Sequence, residues 1–133
     1  PLDILGFNEY FNWYPGPDGT MADRDNLPIY LKRMRRCYPA KAIAVTEFGA
    51  EANREGPVEE RGTYAFQSAF ATWHFDELAK LPWLSGATWW ALQEFPVRPN
   101  WDGGNPRPDP PFHQKGLITM TGAKKPPEEA LAA

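Results

Sequence analysis

The sequence is poor in the residues that anchor several large classes of protein. It holds one cysteine, Cys37, which excludes an internal disulfide framework and a cysteine-based zinc site. Its two histidines, His74 and His113, lie far apart in the chain, and no metal site is expected. Lys and Arg occur only in short runs such as Lys32-Arg33 and Arg35-Arg36, and the formal net charge is -3, which argues against a nucleic-acid binder built on phosphate neutralisation. No apolar stretch approaches the length of a membrane span, and the first residues lack the basic region and apolar run of a signal peptide. The expectation is a soluble chain, cytoplasmic, with no membrane and no nucleic-acid partner.

What is present points to one packed domain. The 133 residues are 42% hydrophobic, enough for a single core over residues 1–133, and the 14% aromatic content sets aside disordered and coiled-coil classes. Asp3 to Phe7, Ile43 to Thr46 and Gly86 to Trp90 are short apolar runs without polar alternation, the pattern of strands buried on both faces of a parallel sheet. Between the first two, Leu27, Leu31, Met34 and Tyr38 recur at helical spacing over Asp25 to Tyr38, with Pro28 in the first turn and basic residues near the end. Between the second and third, Arg61 to Lys80 carries Phe66, Phe70, Trp73 and Glu77 along one face and stops before Pro82. Pro126-Pro127-Glu128-Glu129 begins a further short helix. Alternation of strands and helices predicts an α/β fold with right-handed crossovers, in which the loops after the strands carry the chemistry. The loop from Leu92 to Lys115 is rich in proline and stiff enough to form a wall or lid.

Each strand ends in groups suited to sugars: Asn8-Glu9-Tyr10 with Trp13-Tyr14, then Thr46-Glu47-Phe48-Gly49, then Trp89-Trp90 with Gln93-Glu94. Aromatic faces stack on pyranoses, amides and carboxylates take their hydroxyls, and glycosidases add a pair of carboxylic residues. Glu47 is the best nucleophile candidate, because Gly49 behind it lets the backbone turn away. Taken singly, each feature has a plainer reading: a strand-end glutamate is ordinarily solvated or salt-bridged, paired tryptophans are ordinarily core, and His74 and His113 are ordinarily packing or surface residues.

In combination, DILGFNEYFNWY at Asp3 to Tyr14, AIAVTEFGA at Ala42 to Ala50, GATWWALQEF at Gly86 to Phe95 and HQKGLITMTGAKKPPEEAL at His113 to Leu131 resemble the closing part of the catalytic barrel of family 2 glycoside hydrolases. The resemblance is greatest to the β-glucuronidase and β-galactosidase branches. It implies a partial (β/α)8, or TIM, barrel of about three parallel βα units, the sixth to eighth. It implies a retaining β-glycosidase acting on a carbohydrate substrate without a cofactor. Glu47 would be the nucleophile, oriented by a hydrogen bond from Tyr10, with Asn8, Trp13, Tyr14, Trp89 and Lys115 binding the sugar. The asparagine that in β-glucuronidases stands two residues before that lysine is His113 here, which leaves the sugar open. The family's acid/base glutamate, at the end of the fourth strand, has no counterpart in these residues. Glu9 and Glu94 are possible substitutes, although alternation along the strand sends Glu9 away from Asn8 and Tyr10.

Three parallel strands leave two unpaired edges and expose the sheet's inward surface of Val, Ile and Trp, so a homo-oligomer is expected, with a dimer favoured. Two other readings share the same motifs: a carbohydrate-binding remnant without turnover, and an inactive, self-associating barrel fragment.

Overall fold

The computed structural model describes residues 2–128. They fall into two compact units. One holds the chain through Phe48 together with Phe75–Trp89, and the other holds Gly49–His74 together with the chain from Trp90 onward.

The first unit is built on a parallel three-stranded sheet. Strand β1 (Ile4–Asn8) leads through a long loop to helix α1 (Asn26–Cys37), and strand β2 (Ala42–Phe48) follows. The sheet is completed by β5 (Leu84–Trp89), and β2 is its central strand, in the order β1-β2-β5. All three strands were legible as apolar runs. The structure lengthens β2 at its carboxyl end, so that Glu47 and Phe48 belong to the strand. Both pairings are parallel, and both are irregular near that end, with register shifts between Phe7 and Asn8 in β1 and between Val45 and Phe48 in β2.

One face of the sheet is covered. Ile43, Val45, Phe48 and Trp89 are buried, as are Leu27 and Leu31 of α1. Phe48 packs edge-on against Phe75 at 5.0 Å and against Trp89 at 5.4 Å between ring centroids. The opposite face carries Ile4, Gly6, Asn8, Thr46 and Thr88, all exposed. The expectation of an uncovered Val, Ile and Trp surface is corrected accordingly. Those apolar residues lie on the covered side, and apart from Ile4 the open side is small or polar. Helix α1 keeps Leu27 and Leu31 inside and places Arg35 and Arg36 in its last turn, where they complement the helix dipole. Tyr38, read from the sequence as part of the apolar stripe, lies past the helix end and is exposed.

The second unit contains short strands β3 (Ala52–Arg54) and β4 (Gly62–Thr63), paired in parallel, and β6 (Phe95–Pro96) and β7 (Phe112–His113), paired antiparallel. Helix α2 (Tyr64–Ala79) starts later than its sequence pattern indicates, because Gly62 and Thr63 pair with β3 and the Thr63 hydroxyl accepts the Phe66 N–H at 3.1 Å as a cap. Besides Phe66 and Phe70 it buries Gln67, Ala71 and His74, a stripe hidden from hydropathy by its two polar members. Gln67 donates to the Ala50 carbonyl at 2.7 Å, and His74 stacks on Phe70 at 3.8 Å. Pro126–Glu128 is helical, and the continuation expected from Glu129 lies outside the described residues. Among the described residues no helix is long and apolar enough to cross a membrane.

The hub of this unit is Lys125. Its buried ammonium donates to the Ala52 carbonyl at 2.8 Å, the Gln114 carbonyl at 3.0 Å and the Glu94 carboxylate at 3.0 Å, so one side chain ties together three separate segments. Burial pulls its pKa down and the Glu94 charge opposes that. Removing one partner of a buried pair strands the other, at a cost of about 3–5 kcal/mol. Lys125→Met is therefore expected to lower unfolding free energy by ~3 kcal/mol or more, read from the urea midpoint. A midpoint unchanged from the original chain would contradict the ion pair's role.

Candidate active site

The parallel sheet places the carboxyl ends of β1 and β2 side by side. At that edge Asn8 is the register partner of Glu47, and the Glu9 N–H donates to the Glu47 carbonyl at 2.8 Å. The chain then turns tightly: the N–H groups of Trp13 and Tyr14 both donate to the Tyr10 carbonyl, at 3.0 and 3.1 Å, and Asn12 takes a left-handed backbone with φ of 66°. That turn brings the Tyr10 hydroxyl to the Glu47 carboxylate, to which it donates at 2.9 Å. Burial first, and the Glu47 hydrogen bond and charge second, hold the Tyr10 phenol well above its ordinary pKa, so it stays a donor.

Asn8, Glu9, Tyr10 and Tyr14 line a pocket of about 280 Å³ together with Phe11 and Tyr30. The Tyr10 and Tyr14 rings meet edge-on at 5.1 Å. Trp13 is fully buried and packs against Tyr14, so in this structure it anchors the loop and presents no surface to a ligand. Glu9 faces the same pocket. The strand rule that would send it the other way does not reach it, because β1 ends at Asn8. Its carboxyl is buried and accepts the Phe11 N–H at 3.1 Å. Burial pushes its pKa up to about 8, leaving it protonated at neutral pH.

The remaining sequence candidates belong to other surroundings. Trp89 is 8% exposed and packs on Phe48, whereas Trp90, which sequence reasoning did not carry forward, is 38% exposed. The signal was available in the alternation of β5. Trp90 belongs to the second unit, where its indole N–H donates to His113 Nε2 at 3.3 Å. His113 also stacks on Phe95 at 4.4 Å, and burial followed by the Lys115 charge lowers its pKa to about 4. It is thus neutral, with its proton on Nδ1. Lys115 is buried and donates to the Gly103 carbonyl at 3.1 Å. Glu94 is held by Lys125. Glu51, absent from the sequence candidates, is buried near the Lys115 and Lys125 ammonium groups, and burial raises its pKa. Gly49 is required for a different reason from the one the sequence suggested: a Cβ there would collide with the Trp90 carbonyl, while its φ is not left-handed.

A carboxyl whose folded pKa lies above its ordinary 4.5 binds more protons folded than unfolded between that value and about 8. Stability therefore falls as pH rises through this window. Glu9→Gln, neutral throughout, removes that dependence and is expected to exceed the original chain in stability at pH 9, by about 5 kcal/mol at most. Denaturation at pH 5 and pH 9 checks this, and an equal pH response in the two proteins would contradict a protonated Glu9.

No family model matches the sequence, and no curated protein matches it. Solved structures do. A family 2 β-galacturonidase from Eisenbergiella tayi, bound to galacturonate, superposes with a TM-score of 0.77 at 19% identity over 97% of this chain and 22% of its own. The FMN-binding β-glucuronidase of Facaelibacterium prausnitzii L2-6 matches with a TM-score of 0.75 at 18% identity, covering 94% of this chain and 19% of its own. The Bifidobacterium dentium β-glucuronidase, complexed with coumarin-3-O-glucuronide, matches with a TM-score of 0.73 at 23% identity, covering 98% and 20%. The chain thus spans about a fifth of these β-glycosidases and shares the fold of that part of them, in keeping with the resemblance of its motifs.

Proposed function

We propose that this chain is the nucleophile-bearing part of a retaining β-glycosidase, a partial (β/α)8 barrel of three parallel βα units whose substrate is a β-linked sugar. Glu47 is the nucleophile and Tyr10 the hydrogen-bond donor that aims it. The observation that supports this reading is the 2.9 Å bond between the Tyr10 hydroxyl and the Glu47 carboxylate at the carboxyl ends of adjacent parallel strands. In the first step a Glu47 oxygen bonds to the anomeric carbon as the glycosidic bond breaks. In the second, water replaces the enzyme at that carbon with a second inversion.

A retaining site needs a proton donor ~5–5.5 Å from the nucleophile. Of the two substitutes, Glu94 is engaged by Lys125, whereas Glu9 holds a proton at neutral pH and shares the pocket with Tyr10. Glu9 is the better donor within this chain. Asn8 and Tyr14 contact the sugar from β1 and its loop. Without full general-acid help the rate is ~10²- to 10⁴-fold below that of a complete site. Aryl glycosides with good leaving groups suffer least. Hydrolysis of p-nitrophenyl β-glycosides is expected for the original chain and is expected to fall at least ~100-fold in Glu47→Gln, with the β-anomer formed first by NMR. Equal rates in the two proteins would remove Glu47 from the mechanism. Sugar binding with no hydrolysis by either would favour the binding-remnant reading.

We also propose a dimer formed through the outer edges of β1 and β5, which the sheet order leaves unpaired within it. Light scattering is expected to return twice 15.1 kDa at micromolar concentration. A stable monomer would contradict this assembly.

A further inference from the structure

Four of the eight residues that line the cavity at the end of β1 are aromatic, and two of these, Phe11 and Tyr30, take no part in aiming Glu47. Tyr30 reaches the cavity from α1. Its ring is held edge-on by Phe7 at 5.9 Å and lies tilted against Phe11 at 6.0 Å between centroids. Leu27 and Leu31, fully buried in the same helix, anchor that stretch of α1 and make the wall rigid.

The chemistry of the reaction decides which part of a glycoside meets this wall. As Glu47 bonds to the anomeric carbon, the glycosidic bond breaks with its electron pair on oxygen, and that oxygen takes a proton from the general acid. The protonated carboxyl of the cavity is Glu9, which accepts the Phe11 N–H at 3.1 Å and so stands next to Phe11. A leaving oxygen that comes to Glu9 directs the group attached to it, the aglycone, toward Phe11 and Tyr30. The walls define its class. Among the described residues no charged side chain lines the cavity at neutral pH, so an ionic aglycone has no partner there. The Tyr10 hydroxyl is engaged by Glu47 and the Glu9 proton goes to the leaving oxygen, which leaves a second pyranose few groups for its hydroxyls. The volume is about 280 Å³. A cavity of ~150 Å³ already holds one benzene ring.

We propose that Phe11 and Tyr30 form the aglycone subsite and that its occupant is an aromatic ring, which makes the substrate an aryl β-glycoside. This rests on the glycoside reading above, with Glu9 as the acid.

The test compares kcat/KM for a p-nitrophenyl β-glycoside with that for the matching β-glycosyl fluoride, whose leaving group fills no subsite, in the original chain, Tyr30→Ala, Tyr30→Phe and Ile29→Ala. Ile29 is the exposed neighbour on α1 and lies outside the cavity. A dispersed backbone NMR spectrum establishes that each variant is folded. The aryl-to-fluoride ratio is expected to fall at least about fivefold in Tyr30→Ala, the scale of one aromatic contact, and to hold in Tyr30→Phe and Ile29→Ala. Phenol, standing for the aglycone alone, is expected to shift the backbone signals of Phe11 and Tyr30 in the ¹⁵N-labelled original chain and to bind more weakly to Tyr30→Ala. An unchanged ratio in folded Tyr30→Ala overturns the proposal, as does the absence of any phenol-induced shift at Phe11 and Tyr30, while hydrolysis that still depends on Glu47 leaves the glycoside reading standing. Lactose or cellobiose shifting those two signals where phenol does not would replace the aromatic occupant with a sugar and overturn it too. If phenol binds in a Tyr30-dependent way while neither the aryl glycoside nor the fluoride is hydrolysed, the aromatic subsite stands and it is the glycoside reading that fails.

Discussion

The arrangement of the site depends on an irregularity in β2. Regular alternation starting from buried Val45 would send Glu47 to the covered face and Phe48 to the open one. The register shift between Val45 and Phe48 reverses this, returning Phe48 to the core against Phe75 and Trp89 and freeing Glu47 to meet Tyr10. A neighbouring shift in β1, between Phe7 and Asn8, sets Asn8 opposite Glu47. Bulges of this kind re-aim side chains at the ends of strands, where parallel sheets place their chemistry. Burial of the Phe48 ring, worth roughly 2–3 kcal/mol, is ample to hold such a local distortion in place.

The same logic governs the residues around Glu47. Thr46 stays on the open face because the shift falls after Val45, and there it reaches Asn8 across a glycine. Tyr10 is delivered by a turn that buries Trp13 completely, so the most hydrophobic residue of the loop contributes rigidity and the less hydrophobic Tyr10 and Tyr14 are left to line the pocket. In the second unit, buried charge serves the same end. Lys125 binds three acceptors, and Arg54 bonds the Glu60 carboxylate, the Arg61 carbonyl and the Asn105 amide, which fastens part of the proline-rich loop to β3.

Much of the architecture was legible in the residues. The apolar runs marked the three parallel strands because both faces of such strands avoid charge, and Leu27 and Leu31 marked the buried side of α1. The Tyr10 and Glu47 pairing followed from the resemblance of their motifs, and composition alone contained no trace of it. Bulges leave no compositional signature, which is why the range of β2 was too short, and β1 ends one residue before Glu9, so alternation did not apply to that residue. Burial of polar side chains was equally hidden: Gln67, His74, Glu51 and Lys125 sit inside because they have hydrogen-bond or charged partners distant in sequence. Trp89 was placed in the sugar platform by the resemblance of its motif, whereas in the structure Trp90 is the more exposed indole, neighbours on a strand facing opposite ways.

The most direct measurement is covalent trapping of the nucleophile. A 2,4-dinitrophenyl 2-deoxy-2-fluoro-β-glycoside needs no acid to expel its leaving group, so it interrogates the carboxylate that the β2 shift presents and nothing else. Intact-mass spectrometry should find one fluoroglycosyl group per chain, and peptide mapping should place it on Glu47. An unmodified chain after prolonged exposure to the galactoside, glucoside and glucuronide reagents, or an adduct on a different carboxylate, would contradict the central claim.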